Sequence, residues 1–221
     1  PAVDAGRAGD EESLTRDAPQ RVGTERCIPT RITREANEDE ISRIRSASET
    51  PNQAVTTLNV HVGSEGGITD GHFDLGPAIE NGQLVARIKD DRAVPAVWKD
   101  PASMTFALGE RAKIKAPEAL SYAASVGQDV WMIPATQIRR VPWLGMNSQR
   151  EEIVTETSGQ VRFSLLDVQG PGNVAVFESG SLGAGIGTHV FDGAGTSYTL
   201  PANTHAHQNW VFTEPGSYQL T

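Results

Sequence analysis

The sequence predicts a β-rich fold, a sandwich or a barrel of short strands, from three observations. Gly and Pro are abundant, at 22 and 13 of 221 residues. That is about one residue in six against a usual share of roughly 12%, which favours short elements joined by turns. From residue 56 onward apolar side chains recur with period two instead of at helical spacing. Short apolar runs bounded by Gly, Pro or Asn then follow one another to the end of the chain.

The first fifty residues stand apart. They hold 11 acidic and 8 basic side chains, and every aromatic residue lies beyond position 72, so this stretch has little with which to build a core. The division expected is a charged N-terminal arm over residues 1–55 and a β domain over residues 56–221. Within the arm, Asn37 followed by Glu38, Asp39 and Glu40 resembles an N-cap with an acidic first turn, and Ile41, Ile44 and Ala47 follow at helical spacing. One short helix is expected there, stopped by Pro51. The arm is either a solvated leader or a helix that docks on the globular part or on a partner.

Along the β domain, Leu58, Val60 and Val62 share one face of a strand while Thr57, Asn59 and His61 share the other. The Gly-rich stretch from Gly63 to Gly71 breaks it. His72, Phe73, Asp74 and Leu75 resume the alternation with His72 and Asp74 on one side, and Pro77 is expected to end or kink this strand. Asn81-Gly82 then precedes Gln83 to Ile88, and Asn-Gly is the preferred two-residue hairpin turn because both residues tolerate positive φ. Further strands are expected around Met104 to Leu108, Val130 to Ile133, Val161 to Val168, Val174 to Phe177, His189 to Asp192 and Trp210 to Thr213. Pro117 to Ala124, with Pro at its first turn and Glu118 beside it, reads as one short helix.

Composition excludes several classes of function. With 28 acidic and 19 basic side chains the formal charge is −9, so the chain repels polyanions and no nucleic-acid partner is expected. No apolar run approaches the roughly 18 residues that span a bilayer, and no signal-peptide hydrophobic stretch follows Pro1. A soluble chain is expected, with any export signal already removed. Cys27 is alone, so it forms no intrachain disulfide and names no redox compartment.

The histidines carry the most specific chemistry. His205-Ala206-His207 places two imidazoles i, i+2, on the same face of a strand. His72 and Asp74 repeat that spacing. Two such strands side by side would bring three nitrogens and one carboxylate oxygen to one ion, a donor set that suits zinc, with manganese as the alternative. The competing reading is that these imidazoles satisfy backbone groups where strands meet loops. His61 and His189 are each alone on a polar strand face and are weaker candidates.

Other chemistries are poorly supported. No Gly-x-Ser-x-Gly elbow occurs, and Cys27 is far in sequence from every histidine. Gly183-Ala184-Gly185-Ile186-Gly187 lacks the Lys-Ser/Thr of a phosphate loop and reads as a turn. Asp90-Asp91 and Glu151-Glu152, taken as strand neighbours, point to opposite faces and form no acid/base couple. Trp98, Trp131, Trp143 and Trp210 are expected in the core in preference to a sugar-stacking platform. No enzymatic activity is expected.

Several blocks in order resemble a known family. Gly71-His72-Phe73-Asp74-Leu75-Gly76-Pro77, Asn81-Gly82-Gln83-Leu84, Ile88-Lys89-Asp90-Asp91, Val130 to Gln137, Trp143 to Gln149, Gly170-Pro171-Gly172 and Asn203 to Leu220 look like the actinobacterial surface-anchored domain, also called the choice-of-anchor M domain. The resemblance covers roughly Thr69 to Thr221. Members of that family are exported, often wall- or membrane-anchored, and typically encoded near metal-type ABC transporter components. The resemblance therefore implies an extracellular, cell-surface or cell-wall accessory protein linked to metal uptake. Its partners would be transporter components or cell-wall or membrane proteins, met through the arm. The arm itself has no counterpart in the family.

With the resemblance added, the fold expected is all-β, an Ig-like antiparallel β-sandwich with one or two short helices and a charged N-terminal arm. Pro215-Gly216-Ser217-Tyr218 before a terminal strand resembles a tyrosine corner. The function expected is divalent metal binding, zinc or manganese, by His72, Asp74, His205 and His207. The alternative is a metal-free structural or adhesive surface module.

Overall fold

The computed structural model describes residues 53–181 and 185–221, all within one compact unit, Ser42–Thr221. Residues 1–52 of the expected arm, with its helix and Cys27, lie outside the described residues, as do Gly183 and Ala184 of the glycine-rich turn. The described chain is mostly β, as expected. Its strands are β1 (Leu58–Val62), β2 (His72–Glu80), β3 (Gln83–Asp90), β4 (Val97–Lys99), β5 (Thr105–Leu108), β6 (Lys113–Lys115), β7 (Asp129–Ile133) and β8 (Trp143–Asn147). After the short helix α1 (Glu151–Glu156) come β9 (Val161–Leu165), β10 (Val168–Gln169), β11 (Val174–Ser179), β12 (Ile186–Phe191), β13 (Thr196–Leu200), β14 (His205–His207), β15 (Asn209–Phe212) and β16 (Gly216–Leu220).

Four sheets surround the main core: β10-β16-β1-β5, β12-β11-β15-β7-β6, β13-β9 and β14-β8-β2-β3-β4. The alternation read in β1 holds, with Leu58, Val60 and Val62 buried and Asn59 and His61 half-buried. Fully buried Phe73, Phe106, Phe212 and Tyr218 bring large rings from four strands into this core. A second, smaller cluster of Ala116, Leu120, Ala124, Val130, Phe177 and Val211 covers the other side of β7, β11 and β15. That sheet is buried on both faces, which is why Asn209 to Phe212 reads as an unbroken buried run. The Tyr218 hydroxyl donates to the Glu214 carbonyl at 2.8 Å and accepts from the Glu214 N–H at 3.2 Å, the bond expected of a tyrosine corner.

Several local expectations are refined by the structure. Asn81 and Gly82 have φ of 54° and 75° and join Glu80 to Gln83 in register, so the two-residue hairpin stands. Pro77 neither ends nor breaks β2. The parallel partner β8 pairs only through Leu75, so from Gly76 onward that side of β2 needs no N–H donor. The sheets are not wholly antiparallel, since β1 pairs with β5 and β2 with β8 in parallel. The run from Val161 to Val168 divides at Leu166, because β9 joins β13 while β10 joins β16.

The helical expectations change places. Pro117 to Ala124 forms one 3-10 turn, Glu118–Leu120, and further bonds back to Leu120 before Gly127 at φ 81° turns the chain. The α-helix among the described residues is α1, and Glu151 and Glu152 occupy its first turn instead of a strand. Two carboxylates at that end face the positive pole of the helix, and Glu152 pairs with Arg150 at 2.5 Å.

Candidate metal centre

β2 and β14 carry the four singled-out residues, but the two strands are not neighbours. β8 runs between them, correcting the expectation of two ligand strands side by side. Adjacent strands are about 4.8 Å apart, so β2 and β14 stand roughly 10 Å apart. Their side chains close that gap by leaning over β8. The register shows how: Gly145 of β8 pairs with Asp74 on one side and His207 on the other. A Cβ on Gly145 would lie 2.9 Å from Asp74 Oδ1 and 2.9 Å from His207 Cε1. The missing side chain is what lets the two flanking strands meet.

The donor atoms converge closely. His72 Nε2 is 3.0 Å from His207 Nε2, and His205 Nε2 is 3.1 Å from His207 Nε2. Asp74 Oδ1 lies 2.7 Å from His205 Nε2, 3.3 Å from His72 Nε2 and 3.6 Å from His207 Nε2. All four residues offer a ligand atom within 4.8 Å of the others. Two donors held at about 2.0 Å by a tetrahedral ion stand about 3.3 Å apart, and the five distances above bracket that value. The four residues form a partly buried group that could hold a metal ion.

The electrostatics favour a cation. The Asp74 side chain is 1% exposed, and among the described residues its ion-pair partners are the three imidazoles. Among the described residues no lysine or arginine pairs with it. Its Oδ2 is buried without a hydrogen-bond partner among the described residues. Burial holds His207 down at a pKa of about 4, against the pull of Asp74 and with help from His205 and His72. His207 is therefore neutral and offers a lone pair over the ordinary pH range.

Two further residues shape the set. Asp91 Oδ2 lies 2.6 Å from His72 Nδ1 and is bridged to Lys89, whose Nζ is 3.0 Å from Asp91 Oδ1. Burial works to raise the Asp91 pKa, but the bond from Lys89 and then His72 outweigh it and keep the carboxyl below its usual range. Trp143 stacks on His207 with ring centroids 3.8 Å apart at 14°, and its indole N–H donates to the Ala135 carbonyl at 2.9 Å. The sequence offered Asp91 only as half of a carboxylate pair. Its partner Asp90 points elsewhere, to Arg92 and Lys99, and the Arg92 bonds, opposed by burial and aided by Lys99, hold it well below the carboxylate range.

The other candidates stay apart. His61, on β1, has its Nδ1 3.2 Å from the Gly66 carbonyl in the loop that follows the strand. His189 pairs with Asp192 at 2.8 Å and packs on Tyr122. Trp131 and Trp210 are in the core, as expected, whereas Trp98 lies half-buried under the Arg150 guanidinium.

Fold and site together define a β-rich protein with a partly buried three-histidine, one-aspartate group that could hold a metal ion. No family model, curated protein or solved structure matches the chain.

Proposed function

We propose that this protein binds one divalent transition metal through His72, Asp74, His205 and His207. One observation carries the reading: a buried carboxylate whose ion-pair partners among the described residues are imidazoles. A buried anion needs a compensating charge, and a dication held by the same four side chains supplies it. Zinc is the first choice, because three imidazoles and one carboxylate oxygen suit its tetrahedral preference, and manganese is second. With four protein donors to one ion the role is holding metal, not catalysis. The resemblance to the surface-anchored domain supports an exported, cell-surface accessory protein that works beside a metal-type ABC transporter.

The second reading, a metal-free structural or adhesive surface module, is favoured by the 2.7 Å contact between His205 and Asp74, which an ion-free network makes unaided. Elemental analysis separates the two. Chelator-stripped protein reloaded with zinc or manganese and then desalted should retain one equivalent, and His205→Ala/His207→Ala should retain none while keeping its β circular dichroism. Wild-type protein that retains neither ion would leave the metal-free module as the function.

A further inference from the structure

The four donors are held unequally. Asp74 sits in β2 between β8 and β3, its side chain 1% exposed. His207 is 9% exposed and stacked on Trp143, itself pinned to the Ala135 carbonyl. His72 is braced from behind by Asp91, which Lys89 holds in turn. Asp74 is held by burial, and His207 and His72 by partners outside the set.

Among the described residues His205 has neither. Its side-chain partners there are Asp74 and His207, both members of the set. At 32% it is the most exposed of the four side chains. Its strand is three residues long, ends the sheet, and among the described residues pairs with β8 alone. Exposed side chains change rotamer within nanoseconds, whereas a stacked or braced ring in a packed interior keeps its place.

We propose that the bound metal is exchangeable cargo and that it enters and leaves past His205, which swings off the ion while Asp74, His72 and His207 remain as a preformed three-donor seat. The proposal rests on the metal-binding reading above. In the exchange, the bond from the ion to His205 Nε2 breaks as a donor atom of the incoming chelator forms its own bond to the ion. The acceptor is therefore a chelating molecule or protein that approaches the β14 edge of the sheet. The fold does not depend on the ion. Phe73, next to His72 in sequence, points to the opposite side of β2 and is fully buried in the main core. Emptying the seat thus leaves that core intact.

The test uses the full chain, stripped and reloaded with one equivalent of zinc, then mixed in a stopped-flow instrument with an excess of a colorimetric zinc chelator. His205→Ala should still take up one equivalent of zinc, more weakly, and should release it at least about tenfold faster than wild type, since losses of affinity fall mainly on the off-rate. Asp74→Asn and His207→Ala should retain no stoichiometric zinc. Release from His205→Ala at the wild-type rate, or loss of zinc as complete as in Asp74→Asn, would overturn the assignment of His205 as the exchanging ligand. A wild-type chain that takes up no zinc would overturn the metal reading itself, and the exchange route with it. Should the alanine variant not fold, His205→Gln keeps a polar side chain on the exposed edge and carries the same expectations.

Discussion

His72 and Asp91 face one another across the β2–β3 hairpin, with Nδ1 2.6 Å from Oδ2. A carboxylate partner places the imidazole proton on Nδ1, which leaves the lone pair on Nε2, the nitrogen turned toward Asp74, His205 and His207. Asp91 thus orients a ligand without touching the ion. Asp91→Asn, which keeps the shape and removes the charge, should weaken zinc binding by about 10- to 100-fold. Competition titration against a chelator of known affinity would measure this. Unchanged affinity would reduce Asp91 to a surface partner of Lys89.

That pairing was within reach of the sequence, because the Asn81-Gly82 turn sets the register of both strands. Glu80 faces Gln83, and counting outward one residue on each strand brings Phe73 opposite Asp90, hence His72 opposite Asp91. The four donors were legible for a similar reason: period two puts His72 with Asp74 and His205 with His207. What the sequence did not contain was the order of strands in space. The parallel pairing of β2 with β8 and the insertion of β8 between the donor strands are long-range choices made by core packing, and no local pattern marks them. Gly145 therefore carried no signal, although the site could not close without it. The first turn of α1 was hidden differently, because Glu151 and Glu152 suit either a helix N-terminus or an exposed strand until tertiary contacts decide.

Gly145 yields the sharpest mutational expectation. It does not stand at positive φ, so an alanine there is not excluded by backbone conformation. What opposes it is space, since the new methyl would sit 2.9 Å from the Ala206 carbonyl, from Asp74 Oδ1 and from His207 Cε1. Gly145→Ala should push Asp74 and His207 apart and lower metal affinity by at least about tenfold, because every donor must converge within about 2 Å of one ion. Elemental analysis after desalting, paired with melting of the stripped protein, would check it. Should the variant melt earlier yet bind zinc like wild type, the glycine would serve strand packing instead of the site.

Gly82 tests the hairpin without touching the donors. Its φ is 75° and nothing lies within 4 Å of a Cβ built there, so a side chain meets no clash and only the backbone resists. A β-branched residue is an outlier at positive φ. Gly82→Val should destabilise the domain by roughly 1 kcal/mol or more. Urea unfolding with circular dichroism would read the change, and zinc stoichiometry should remain one. An unchanged midpoint would mean that the turn adapts to the new residue.

His207 gives the metal-free protein a pH dependence between about pH 4 and pH 6.5. Burial lowers its pKa from 6.5 to about 4, so below pH 6.5 the unfolded chain takes up a proton at this position while the native state does not. More protons bound in the unfolded state means that stability rises with pH across that window. The contribution is therefore complete above about pH 6.5 and is lost as pH falls toward 4, amounting to at most roughly 3.5 kcal/mol at about 1.4 kcal/mol per unit. Chelator-stripped wild type should lose stability between pH 7 and pH 5. His207→Gln, which removes the titrating ring and also the stack on Trp143, should start lower at pH 7 and show a shallower slope over the same range. Zinc-loaded wild type should fall more steeply with acid than the stripped protein, because protons then also compete with the ion for its imidazoles. Denaturant titrations at pH 5, 6 and 7, each with and without zinc, would measure all three slopes. Equal slopes for stripped wild type and His207→Gln would show that the buried imidazole is not what the acid attacks.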